Sequence, residues 1–138
     1  MGIQDHIYRY RYQWLLLAVC LLSRWASTIY YIEDTDSLRF ALSVLEYDIL
    51  KLQPHFPGYP VFSFLAKIFY SLSASYALSF STIGGLSVFV LIIYSLRIAG
   101  THLHSPQGGF LAFLIFFNPL IWLMSNRYMP DLAGTALV

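Results

Sequence analysis

Charge is what this sequence has least of. Asp, Glu, Lys and Arg supply 11% of its 138 residues, against about 25% in a soluble domain. No Lys/Arg cluster stands out from a net charge of +1, which excludes the basic footprint that a nucleic-acid partner requires. Cysteine is just as scarce. Cys20 is alone, so no intramolecular disulfide can form, and its apolar setting gives it the role of a small buried hydrophobe, silent about compartment. Missing too is a small-residue cleavage pattern. Arg9 and Arg11 precede Leu15 to Leu22, but apolar residues continue past Arg24 to Ile32, as in a retained anchor rather than a secretory signal. In place of these features stand 58% hydrophobic residues and a mean hydropathy of +0.62, the composition of an integral membrane protein.

The apolar runs predict an all-α polytopic membrane protein, a single transmembrane module over residues 1–138. Gln13 to Ile32 is about twenty residues, the length that crosses about 30 Å of hydrocarbon. Tyr8, Tyr10, Tyr12 and Trp14 mark one interface, and Tyr30 and Tyr31 the other, as aromatic belts do. Arg9 and Arg11 put the N-terminus in the cytosol by the positive-inside rule, so the acidic run Glu33-Asp34-Thr35-Asp36 emerges on the far side. Tyr76 to Ile98 is the second span, with Ser81 and Gly85 as a small-xxx-small pair that lets another helix approach closely; Gly84-Gly85 reads as packing. Gly108 to Ser125 is the third, opened by Ser105-Pro106 as N-cap and first turn and bent at Asn118-Pro119. Leu132 to Val138 begins a fourth.

The loop between the first two spans, residues 33–75, is expected to hold two helices lying in the membrane interface. From Ser37 to Leu52 the residues Leu38, Leu42, Leu45, Ile49 and Leu52 recur at helical steps, with Arg39, Ser43 and Glu46 on another face. Gln53 to Pro60, with Pro54, Pro57 and Gly58, breaks that helix. Val61 to Leu72 covers only about 18 Å as a helix, short of a crossing, and Lys67 can snorkel to the headgroups. If this segment does not cross, Arg97 returns to the cytosol, and Arg127 and Asp131 share the outer side with Asp34, Asp36 and His55. If it does, the two polar groups lie on opposite sides.

Several of these polar residues can carry chemistry. Asp34 and Asp36 suit a general base or a ligand for a hard divalent cation; the plainer role for Asp36 is N-cap of the helix starting at Ser37. Arg24, inside the first span, is a functional candidate because the bilayer makes a charge there costly; it meets a lipid phosphate or pairs with a carboxylate within the bundle. His55 and Arg127 suit an anionic group, Arg offering phosphate bidentate geometry. His102 and His104 have ligand-like spacing but no third ligand on their side. Glu46, Asp48 and Lys51 read as a solvated face.

Three motifs carry a resemblance. Asp36-Ser37-Leu38-Arg39-Phe40-Ala41 resembles the first external loop of the GT-C class of membrane glycosyltransferases, where aminoarabinose transferases have Asp-Glu-x-Arg-Tyr-Ala and a branch related to protein O-mannosyltransferases has Asp-Ser-Gly-Glu-Phe. His55-Phe56-Pro57-Gly58-Tyr59-Pro60 is similar to that branch's His-Pro-Pro-Gly-Tyr-Pro. Arg127-Tyr128-Met129-Pro130-Asp131 resembles the second external loop, in which an arginine or tyrosine precedes an aspartate. The likeness runs from about Trp14 onward and implies the N-terminal part of a GT-C bundle, with two juxtamembrane helices in the first external loop.

What the resemblance implies is transfer of a sugar from a polyprenyl-phosphate donor to a lipid, glycan or protein hydroxyl on the external or luminal face. The host is the plasma (inner) membrane of a prokaryote or the ER membrane. Asp36 is then the general base with Asp34 as alternative, and Asp131 orients acceptor or base. His55, Tyr59, Arg127, Arg39 and Arg24 are candidates to meet substrate, the first and third at the donor phosphate; Arg39 alternatively pairs with Asp36. A divalent cation, Mg or Mn, at Asp36 is the candidate cofactor. Family members have many more spans, so the chain is expected to be the N-terminal portion of a truncated or split enzyme, inactive alone. The alternative is a small non-catalytic polytopic protein, an assembly partner or transporter fragment, with Arg24 and Asn118 lining a path; a degenerate paralogue that keeps the fold without catalysis is a third reading.

Overall fold

The computed structural model describes residues 3–137, with side chains from Tyr10 onward. Tyr8 and Arg9, assigned above to the cytosolic end, and Val138, counted with the fourth span, lie outside the described side chains. The fold is 72% helix, with no strand among the described residues. The helices are α1 (Ile3–Ala26), α2 (Thr35–Leu45), α3 (Pro60–Ser73), α4 (Tyr76–Ile98), α5 (Pro106–Phe116), α6 (Pro119–Met124) and α7 (Asp131–Leu137), with a 3₁₀ turn at Ile49–Lys51 after α2.

Everything is arranged on α4, the one described helix long and apolar enough to cross a membrane. The Ser75 hydroxyl starts it by accepting the Leu78 N–H, and no proline interrupts it. Its first half, at Ala77, Phe80 and Ile83, packs on Phe40, Ala41 and Val44 of α2, Phe62 and Ala66 of α3, and Tyr128. Its second half, at Val88, Ile92 and Leu96, packs on Cys20, Ala112, Phe116 and Leu132. α1 runs antiparallel to it: Trp25 Nε1 donates to Thr82 Oγ1 at 2.9 Å, while Tyr12 and Gln13 lie beside Leu96 and Arg97. Gly84 and Gly85 stand where the halves meet, and their role is packing as expected. A Cβ on Gly84 would lie 1.6 Å from the Ser125 carbonyl oxygen, and one on Gly85 3.2 Å from that of Cys20.

Four expected boundaries change, each for a local reason. The first span does not run to Ile32: α1 stops at Ala26, where the Ser27 and Thr28 hydroxyls donate back to the carbonyls of Ser23 and Arg24, each at 2.9 Å. α2 ends at Leu45 rather than Leu52, because the Asp48 carboxylate accepts the Leu50 and Lys51 N–H groups and nucleates the 3₁₀ turn instead. The third span is two helices, since Pro119 has no N–H to continue α5 and the Asn118 side chain caps α6 by accepting from Leu120 and Ile121. α7 starts at Asp131 and packs along α4.

α2 buries a face other than its leucine stripe. The stripe of Leu38, Leu42 and Leu45 is exposed, while Phe40, Ala41 and Val44 are buried. Burying the Phe40 ring together with Ala41 and Val44 removes much apolar area from water. Ser43 can go in with them because its hydroxyl meets the Phe40 carbonyl at 2.7 Å and the Ser63 hydroxyl at 3.1 Å. α3 fits its expected bounds closely and buries Phe62, Ser63 and Ala66. Its Val61, Phe64, Ile68 and Leu72 remain exposed, an outward apolar face that suits a lipid environment.

Candidate functional site

The acidic run leaves α1 as extended chain and enters α2 through Asp34. Asp34, not Asp36, is the N-cap: its Oδ1 accepts the Ser37 N–H at 2.7 Å. That bond foremost, with Arg127 adding to it, holds the Asp34 carboxyl below its ordinary value, against partial desolvation. The capping role considered for Asp36 is therefore taken by its neighbour. Asp36 is left with Arg39 Nη1 at 3.3 Å and His55 Nδ1 at 3.7 Å. With 47% of its side chain accessible against 33% for Asp34, it is the freer carboxylate of the two.

Arg127 joins this loop to the connector that follows α6. Its Nη2 donates to Asp34 Oδ2 at 2.5 Å and its Nε to Glu33 Oε2 at 3.1 Å. The flanking residues hold it there. Asn126 Nδ2 donates to the Ser27 carbonyl at 3.1 Å and to the Ser27 hydroxyl at 2.9 Å, and the Tyr128 hydroxyl donates to the Ile29 carbonyl at 2.9 Å. Tyr128 also stacks on Phe80 with ring centroids 4.6 Å apart; its burial foremost, then the charges of Glu33 and Tyr30, raise its hydroxyl above the ordinary range. The two polar clusters thus occupy the same end of α4, the arrangement expected if α3 does not cross.

The His55 to Pro60 turn completes that end. The His55 ring lies edge-on to Phe40 at 5.3 Å and 6.0 Å from Tyr59, its Nδ1 buried without a hydrogen-bond partner. Gly58 has φ +92°, and a Cβ there would lie 2.6 Å from the Tyr47 hydroxyl, so the tight turn requires glycine. Tyr59 then opens a groove of about 310 Å³, walled by Pro60, Val61, Phe62 and Leu65 on one side and by Asp131 and Gly134 on the other. Asp131 is its carboxylate. Asp34, Asp36, Arg39, His55, Tyr59, Arg127 and Asp131 are thereby gathered into one region.

Arg24 is not among them. It is fully buried, with its guanidinium carbon 3.8 Å from the centroid of Trp122 and 5.1 Å from that of Phe116. Its Nε and Nη2 have no hydrogen-bond partner, and no carboxylate reaches it among the described residues. Within the chain, two aromatic faces hold it rather than the carboxylate considered as a partner. Glu33, Asn126, Tyr128 and Trp122 went unassigned in the sequence. Glu33 carried a signal in its place in the acidic run, and Tyr128 in the motif that precedes Asp131.

The neighbours of Asp36 are Arg39 and His55, that of Asp34 is Arg127, and no group of three or more His, Cys, Asp or Glu could hold a metal among the described residues. No protein-family model, curated protein or solved structure matches the chain.

Proposed function

We propose that the chain carries the first two external loops of a GT-C membrane glycosyltransferase, which moves a sugar from a polyprenyl-phosphate donor to a lipid, glycan or protein hydroxyl. The observation that supports this reading is the Arg127 bridge to Asp34 and Glu33. It joins, at one end of α4, the two loops that the resemblance assigns to one catalytic face. In this reading α1 and the α5–α6 pair cross the bilayer beside α4, and α2 and α3 lie at its outer surface.

Asp36 takes the proton of the acceptor hydroxyl while that oxygen bonds to the anomeric carbon. The bond from that carbon to the phosphate oxygen breaks, and polyprenyl phosphate leaves with the electron pair. Arg39 and His55, both beside Asp36, face the charge that grows on the phosphate. Arg127 holds the acidic loop in place, and Asp131 orients the acceptor at the mouth of the apolar groove.

The test is Asp36→Asn in the whole protein in native membranes, assayed with a labelled polyprenyl-phosphate sugar. Transfer should fall about 100-fold or more, with membrane insertion and thermal midpoint unchanged. Undiminished transfer by a normally inserted variant would remove Asp36 from the chemistry. The non-catalytic reading draws on the same contacts, because Glu33, Asp34 and Asp36 each already have a cationic partner, as a structural loop needs. It gains if Asp36→Asn and Asp131→Asn both leave transfer intact.

A further inference from the structure

At the end of α4 opposite the acidic loop, the described side chains present hydrogen-bond donors and no carboxylate. Arg97 lies in the last turn of α4, its guanidinium 5.4 Å from the centroid of Tyr94. His102 and His104 face each other with ring centroids 5.5 Å apart and planes within 6° of parallel. Together with Tyr12, Gln13 and Thr101 they line a recess of about 30 Å³. One water needs about 10–15 Å³, so the recess admits the oxygens of a small polyatomic anion and excludes a sugar or a nucleoside. Every carboxylate with a described side chain belongs to the other end, on the acidic loop, the turns between α2 and α3, or α7. The ion pairs of the described residues lie there as well.

We propose that this recess binds a phosphate group, either inorganic phosphate or the headgroup of an anionic phospholipid. Arg97 supplies the planar fork that matches phosphate oxygens. The imidazoles, the Tyr12 hydroxyl and the Gln13 amide supply single donors around it, and the adjoining Ile93, Leu96 and Leu103 lower the local dielectric and strengthen the attraction. A helix of the length of α4, 23 residues, spans about 35 Å. That slightly exceeds about 30 Å of hydrocarbon, so Arg97 stands at headgroup level when α4 crosses. The spacing of His102 and His104 is thus used for an anion rather than a metal, and nothing here depends on glycosyl transfer.

The experiment is calorimetric titration of the purified protein in neutral detergent. The probes are inorganic phosphate and dioctanoyl phosphatidic acid, with dioctanoylglycerol as the phosphate-free reference. At least one phosphate probe should saturate and the reference should not. Arg97→Gln and His104→Gln, both at exposed positions, should each weaken binding about tenfold, the size of one lost charge-assisted hydrogen bond. Arg11→Gln, which removes a cation that does not line the recess, should change binding less than about twofold. Thermal unfolding of each variant separates loss of binding from loss of fold. A preference of about tenfold or more for phosphatidic acid assigns the headgroup; equal affinity assigns free phosphate. Absence of saturable binding to either probe overturns the proposal. So does an equal loss in Arg11→Gln and Arg97→Gln, which would reduce the site to general attraction toward a basic end.

Discussion

Arg24 and Arg127 are the same side chain held in opposite ways. Arg127 is about one-third exposed, at 36%, and is ringed by carboxylates; Arg24 is 0% exposed and ringed by aromatic carbon. Around Arg127 the attraction is strong at contact but screened by solvent, so its worth to stability is small. Around Arg24 no water screens anything. Desolvation of the guanidinium is opposed only by the ring quadrupoles and by one long hydrogen bond from Nη1 to Ser23 Oγ, 3.5 Å. The first arginine is suited to movement and exchange of partners, the second to fixing α1 against the break between α5 and α6.

The contrast can be broken at its strongest point first. Trp122→Ala removes both packing and the main partner of a buried charge, and should cost about 4 kcal/mol, read as a fall in thermal midpoint in detergent. Arg24→Met, which deletes the charge and keeps much of the volume, should change stability by about 1 kcal/mol or less. A double-mutant cycle over Arg24 and Trp122 should then return a coupling of about 2 kcal/mol; a coupling near zero would mean that the ring only fills space. Gly84→Ala comes next. Its methyl would meet the Ser125 backbone and should cost about 3 kcal/mol. Because Ser125 leads directly into Asn126 and Arg127, the same substitution should raise hydrogen exchange at Ser27 and Ile29.

Arg127→Ala should cost about 0.5–1 kcal/mol at neutral pH and less at high salt. Its pH dependence sharpens the comparison. The Asp34 carboxyl is held below its ordinary value of 3.8, so the stability linked to it is fully present above that pH and is lost as pH falls through it toward the lower folded value. The difference between wild type and Arg127→Ala should fade over the same range. Part of the acid sensitivity should persist in the variant, because the larger cause, the Ser37 N–H, remains. Arg24→Met should show no such fading.

How far the sequence spoke depended on whether a feature was local. α4 was legible to the residue, since its apolar run is bounded by a serine cap at one end and glycine and polar residues at the other. The break at Asn118-Pro119 was visible as a bend, but not as two helices, because the outcome rested on the Asn118 side chain becoming a cap. The leucine period of α2 gave a helix with one apolar face, but not the second buried face of Phe40, Ala41 and Val44, which depended on Ser63 being available to Ser43 from another helix. Spacing named Asp36 as the cap of a helix starting at Ser37, and the path of the chain from Ala26 to Thr35 gave that role to Asp34. The gathering of Arg127 with the acids was one of the two arrangements that counting crossings offered. The aromatic cage of Arg24 did not, because Phe116 and Trp122 read as ordinary apolar residues of a later segment.

The bonds from Asn126 to Ser27 and from Tyr128 to Ile29 join residues 99 positions apart. They impose an order of events on a chain made from its N-terminus. When Ser27, Ile29 and the acids after them leave the ribosome, the groups that will occupy them do not yet exist. Arg24 likewise precedes the synthesis of Phe116 and Trp122. The acidic loop and the buried cation therefore stay unfinished while about a hundred further residues are added, and both are completed together once α6 and the connector after it arrive. A pause placed before residue 116 should leave a nascent chain whose Arg24 is accessible to modification. A pause placed after residue 128 should leave Arg24 protected.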